Sequence, residues 1–112
     1  MGKFVAGDVV AVTFPLSDLS GQKLRPALVL AVAEFDNLIL CQITSKPYTS
    51  KMAVRLTQKD FAKGGLPVIS YVRPDKLFTA EPSIVEKSVG KLNRSARRTI
   101  LSQVQNLFKD KA

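Results

Sequence analysis

The sequence predicts a mainly β fold: a small, strongly curved sheet or barrel of SH3-like type with one C-terminal helix. Two patterns carry that reading. Short runs rich in Val, Ile and Leu recur up to Lys91, most of them bounded by Pro, Gly, Asn or Asp. After Asn93 the apolar period becomes helical, through Ala96, Ile100, Leu101, Val104, Leu107 and Phe108. A chain of 112 residues is expected to form a single domain over 1–112 with one core.

The elements follow in order. Asp8 to Phe14 has Val10, Val12 and Phe14 on one parity and makes a first strand that ends at Pro15. Pro15 to Lys23, with Ser17, Asp18, Ser20 and Gly21, is a polar loop. The run from about Leu24 to Ala33 is too short and too rich in Val and Leu for a helix, and Pro26 stands at its head. It reads as a strand buried on both faces. Asp36-Asn37 signals a tight turn, and Leu38 to Ile43 a third strand that completes a meander. Thr44 to Lys51 is a hydroxyl-rich loop, Ala53 to Leu56 a short strand, and Gln58 to Lys63 one helical turn stopped by Gly64-Gly65. Pro67 to Arg73 alternates as a strand that ends at Pro74. Leu77 to Thr79 and Val85 to Lys91 are expected to pair briefly at the sheet edges, with the Pro82 turn between them. Asn93 is a good N-cap for a helix running to about Lys109, whose apolar stripe packs on the sheet. Its other face shows Arg94, Arg97 and Arg98 near the N-terminus, the unfavourable end for cations. A solvated basic face and a nucleic-acid contact are the two readings of that cluster.

Charge narrows the partners. Seventeen Lys and Arg against nine Asp and Glu give a net charge of +8. Such an excess favours polyanions, with nucleic acid first and an acidic protein segment or anionic membrane next, although solubility alone can also explain it. Cys41 is the single cysteine and lies in the apolar run Leu38 to Ile43, so it reads as a small buried hydrophobe. No intramolecular disulfide can form, which fits a reducing cytoplasm. Neither a signal peptide nor a membrane span is indicated.

Much chemistry is excluded. The chain has no histidine, so Ser-His-Asp and Cys-His sites cannot exist and the usual zinc ligand sets are out. Pro74-Asp75 is not followed by Glu-x-Lys or Asp-x-Lys, and Glu81 and Glu86 stand alone in a basic region, which argues against a two-metal nuclease. Phosphate-loop and dinucleotide fingerprints are missing, and neither a metal nor a cofactor is expected. What survives is chemistry by arginines, hydroxyls and one carboxylate at strand ends: Arg25 before Pro26, Thr44-Ser45 after the third strand, and Arg73 with Asp75. The planar fork of Arg25 suits a phosphate clamp, and proline stiffens the backbone behind it. A rim arginine covering a strand end is the bland alternative. Arg73 and Asp75 share a side if the strand persists across Pro74, and a simple surface ion pair is the alternative there. RNA carries its own nucleophile, the 2′-hydroxyl, so such residues suffice to cleave it: a base, a charge-stabilising guanidinium and a hydroxyl donor.

Four segments in register, Gly7-Asp8-Val9-Val10 with Phe14-Pro15, Leu24-Arg25-Pro26-Ala27-Leu28-Val29-Leu30, Ile43-Thr44-Ser45-Lys46, and Tyr71-Val72-Arg73-Pro74-Asp75-Lys76-Leu77, together resemble the MazF/PemK/Kid family of toxins from toxin-antitoxin systems. The resemblance covers nearly the whole chain. It implies the SH3-like barrel shared with CcdB, a homodimer, and a metal-independent endoribonuclease that cuts single-stranded RNA, chiefly mRNA, at short sequences. It also implies products with a 2′,3′-cyclic phosphate and a 5′-hydroxyl, and inhibition by an acidic segment of a cognate antitoxin lying along the RNA groove. The family's catalytic arginine before Pro-Ala falls on Arg25 and its hydroxyl on Thr44. One branch instead stresses an arginine and an aspartate that match Arg73 and Asp75, but it also uses a first-loop histidine that this chain lacks. Gln22, Lys23, Ser45, Lys46 and Ser70 are the expected RNA contacts around these four. The first loop diverges, so the cut sequence does not transfer. The rival reading is a non-catalytic barrel, either a CcdB-like gyrase-binding toxin or a nucleic-acid-binding module in which Arg25 only holds phosphate. Pairing of Arg25 with Thr44 separates the two, because binding alone does not demand a hydroxyl beside the guanidinium.

Overall fold

A computed structural model describes residues 4–15, 22–46 and 50–109. The first-loop residues Ser17, Asp18 and Ser20 lie outside the described residues, as do the side chains of Phe14, Pro15 and Gln22. The strands are β1 (Asp8–Pro15), β2 (Gln22–Val32), β3 (Leu38–Thr44), β4 (Val54–Leu56), β5 (Phe61–Gly64), β6 (Ser70–Ala80) and β7 (Val85–Leu92), followed by helix α1 (Arg94–Leu107). They form one seven-stranded sheet in the order β4-β6-β3-β2-β1-β7-β5, antiparallel at every pairing. The mainly β half-barrel with a terminal helix is the fold class the sequence predicts.

Both faces of the central strands are apolar because successive residues point to opposite sides. On one face Val9, Leu28, Cys41, Ile43, Leu56 and Val72 pack with Leu92 and with Ala96 and Ile100 of α1. On the other, Val10, Val12, Ala27, Val29, Leu38 and Leu40 pack together, with Phe4, Phe78, Ile84 and Val85 around them. Two-sided burial of β2 holds from Ala27 to Val29, while Ala31 and Val32 are exposed. Pro26 is inside β2 and not at its head. It faces Ala11 of β1, and the ladder to β3 ends at Ala27–Gln42, where the missing proline N–H leaves no gap.

Several boundaries differ from the sequence expectation, each for a local reason. β6 does not stop at Pro74 but continues to Ala80, so Leu77 to Thr79 pairs with β3 in the interior of the sheet. Pro74 is accommodated by a bulge: between Ile43↔Val72 and Cys41↔Leu77, Gln42 alone opposes residues 73–76. β7 lies between β1 and β5, and the edges are β4 and β5. The expected helical turn over Gln58–Lys63 is a 3₁₀ turn of Gln58–Asp60, closed by a capping box between Thr57 and Asp60, after which Phe61 enters β5. Residues 67–69 precede β6 rather than forming its start. The turn before β3 spans Glu34–Asp36, with Phe35 (φ 59) and Asp36 (φ 61) in the left-handed region.

Helix α1 begins where Asn93 Oδ1 accepts from the Ala96 N–H at 2.9 Å, and the Asn93 amide also donates to the Lys59 carbonyl at 3.0 Å. It contacts β6 and β4. Ala96 and Ile100 are buried and Val104 packs beside them, whereas Leu101, Leu107 and Phe108 are exposed, so only part of the expected stripe packs on the sheet. Arg97 is not simply solvated, for its side chain closes over Gly7 (φ 98) at the entry to β1.

Replacing Ile100 with alanine is expected to cost about 2–5 kcal/mol, and Asn93→Ala about 1 kcal/mol, both read from urea denaturation midpoints. Burial pushes the Cys41 thiol from 9.0 up to about 12. Cys41 should therefore resist alkylation in the native protein near pH 8 and react fully in denaturant, as mass spectrometry would record.

Candidate functional site

Residues directly opposite in antiparallel strands share a face, and this places the candidate side chains. Ala27 and Leu40 belong to one apolar cluster, and Ala27 is paired with Gln42. Two residues along β2 from Ala27 lies Arg25, and two along β3 from Gln42 lies Thr44. Both continue the same face beyond the last pair of the β2–β3 ladder, Ala27↔Gln42. Arg25 is half-buried and pairs with Val12 of β1. Lys23, two residues further out on the same parity, is exposed.

Thr44 is half-buried, and its Oγ1 accepts from the Lys46 N–H at 3.2 Å. This contact fixes the hydroxyl and leaves its proton to donate to a ligand. On the far side Thr44 pairs with Tyr71 of β6, which pairs with Arg55 of β4. The row Thr44, Tyr71, Arg55 therefore crosses three neighbouring strands.

The bulge brings in the remaining pair. Residues 73–76 bulge opposite Gln42 with Pro74 buried, and Arg73 Nη2 lies 3.3 Å from Asp75 Oδ2, with both side chains partly exposed. Lys23, Arg25 and Thr44 thus continue one face, Tyr71 pairs with Thr44, and Arg73, two residues along β6 from Tyr71, holds Asp75 in an ion pair. Ser70 does not join them. It is 3% exposed, shares the parity of buried Val72, and donates its hydroxyl to the Val68 carbonyl at 3.0 Å. Ser45 and Lys46 lie beyond the end of β3 and are exposed. The Gln22 side chain lies outside the described residues. Tyr71, Gln42 and Arg55 escaped the sequence reading, although Tyr71 has the parity of Arg73 and could have been found by it. Among the described residues no three His, Cys, Asp or Glu side chains come together to hold a metal ion, and no helix is long and apolar enough to cross a membrane.

With that geometry in hand, comparison with known proteins is direct. Residues 6–108 match the family model described as PemK-like, MazF-like toxin of type II toxin-antitoxin system. No curated protein matches the sequence. Among solved structures, the chain is similar to an endoribonuclease in complex with its cognate antitoxin from a mycobacterial species, with a TM-score of 0.74 at 14% identity, covering 92% of each chain. It is also similar to MazE-MazF from Deinococcus radiodurans, with a TM-score of 0.73 at 21% identity over 93% of this chain and 94% of that one. Mycobacterium tuberculosis toxin MazF-mt6 gives a TM-score of 0.65 at 23% identity over 88% and 95%. At these identities the shared feature is the fold. The family match spans nearly the whole sequence, and the chain belongs to the PemK-like, MazF-like toxin family of type II toxin-antitoxin systems.

Proposed function

We propose that this family member is an endoribonuclease that cuts single-stranded RNA, chiefly mRNA, by attack of the substrate's own 2′-hydroxyl, with no metal in the reaction. What supports the reading is Arg25 and Thr44 at the end of one sheet face, with Tyr71 paired to Thr44 and the Arg73–Asp75 ion pair next along β6. In the reaction the Asp75 carboxylate takes the 2′-hydroxyl proton, O2′ bonds to phosphorus, and the P–O5′ bond breaks as O5′ takes a proton from water. The products are a 2′,3′-cyclic phosphate and a 5′-hydroxyl. Charge grows on the non-bridging oxygens as the fifth bond forms, and Arg25 meets it with two parallel N–H donors. Thr44 donates its hydroxyl to one of those oxygens, and Arg73 contacts phosphate while holding Asp75 in place. Arg25 serves as a clamp and not as a proton donor, because a guanidinium does not give up its proton at working pH.

The net charge of +8 serves the same reading, since a basic protein gathers a polyanion through counterion release. It also suits the acidic segment of a cognate antitoxin, which would occupy the same face and exclude RNA. We further propose that the working form is a homodimer in the cytoplasm.

Arg25→Ala should lower cleavage of a long unstructured RNA in EDTA by at least about 100-fold while the circular dichroism spectrum stays unchanged. If purified wild-type protein leaves that RNA intact, the enzyme reading falls.

A further inference from the structure

The proposed reaction gives Gln42 no task, although this residue lies beside the groups that carry it out. It occupies the interior of β3, between Leu40, fully buried on the same face, and Thr44. On the β2 side it pairs with Ala27, and on the β6 side it alone opposes the bulge of residues 73–76. The side chain is half-buried. Among the described residues its amide makes no hydrogen bond with the protein, and its polar atoms are not sealed from solvent. Gln103, also half-buried, shows the usual arrangement, its amide donating to the Lys51 carbonyl at 3.2 Å. Stability does not account for a glutamine at position 42. An amide beside an apolar cluster loses by partial burial unless it is bonded, and a methionine of similar length would pack there without that loss.

The chemistry of the free amide suits a base rather than a phosphate. A phosphate oxygen only accepts, so it would use the N–H donors and leave the amide oxygen idle. A base edge that sets a donor beside an acceptor uses both, as adenine does when N6–H donates to Oε1 and N7 accepts from Nε2. In single-stranded RNA such edges are free to be read. Position agrees with chemistry. Gln42 and Thr44 are two residues apart on one strand face, about 6.6 Å, so a phosphate held at the Thr44 hydroxyl leaves the base of an adjoining nucleotide within reach of Gln42. Arg25 and Lys23 can only donate, and a tyrosine ring such as that of Tyr71 stacks on any base. The amide is the group on this face that can tell one base from another.

We propose that Gln42 is a specificity-determining residue: it reads the edge of a base adjoining the cut through two hydrogen bonds from one amide, and so sets one position of the cleavage sequence. This inference rests on the endoribonuclease reading above.

The test compares wild type with Gln42→Met, which keeps the length of the side chain and removes the amide. Cut sites are mapped on a long RNA from the 5′ ends of its fragments, and kcat/KM is then measured on oligonucleotides that carry each base in turn at the positions flanking the cut. Wild type should prefer one base at a flanking position. In the variant that preference should fall about tenfold, while preferences at the other positions hold. Gln42→Glu, of the same shape but without the N–H donors, should lose the same preference. The melting temperature of Gln42→Met should match wild type, since no protein hydrogen bond is removed. An unchanged preference in an active variant overturns the inference alone, as does an equal loss of kcat/KM for every base. So does a clearly lower melting temperature of Gln42→Met, which makes the glutamine a structural residue. Wild type that cuts no RNA overturns the nuclease reading and this inference together.

Discussion

The pairing of β3 with β6 is the constraint from which the site follows. β3 is held between β2 and β6, and Leu40 and Cys41 at its centre are buried on opposite faces. Moving β3 by one residue would exchange its two apolar sets, so its register is tightly specified. β6 must match that register twice, through Leu77 to Ala80 in the core and again through Tyr71 and Val72. The bulge reconciles the two halves. Without it, continuing the Cys41↔Leu77 register would put Asp75 opposite Ile43, facing the apolar cluster, and Pro74 opposite Thr44 inside the ladder. A carboxylate without partners in that position would be strongly unfavourable, and the proline would remove a ladder donor. The bulge avoids both: Pro74 is buried, and Arg73 is set against Asp75 at 3.3 Å.

The same strand architecture explains why the site is stiff. Thr44 and Arg25 extend from strands whose central residues on that face, Leu40, Ala27 and Val29, are fully buried. Apolar packing thus fixes the backbone, and the face turns polar where the cluster ends. Pro26 restricts Arg25 to extended backbone, and the Lys46 N–H fixes the Thr44 hydroxyl. A catalytic surface that must recognise charge only as it develops gains from such preorganisation. The proposed single-stranded substrate would need no deep pocket, since an extended chain can lie across strands.

Much of this was legible in the sequence, and what was missed has a consistent cause. Alternation in β1, the apolar run of β2 and the cap at Asn93 are local signals, and local signals predicted their elements well. Pro26 and Pro74 misled because a proline reads as a strand end, while long-range pairing absorbed Pro74 in a bulge and set Pro26 where its ladder to β3 stops. The basic residues of α1 divided only in three dimensions, Arg97 over Gly7 and Arg98 along a cleft that Arg55 also lines. Ser70 was an error of parity that the alternation with Val72 already contained. The row Thr44, Tyr71, Arg55 depends on sheet order, which no single segment encodes.

The most direct test of the central claim is an NMR titration of the protein with an RNA oligonucleotide whose nucleotide at the cut carries a 2′-deoxy sugar and cannot attack. The account predicts amide shifts concentrated at Arg25, Thr44, Tyr71 and Arg73, with the β5–β7 edge unmoved. Shifts that spare those four residues and gather elsewhere on the sheet would contradict it.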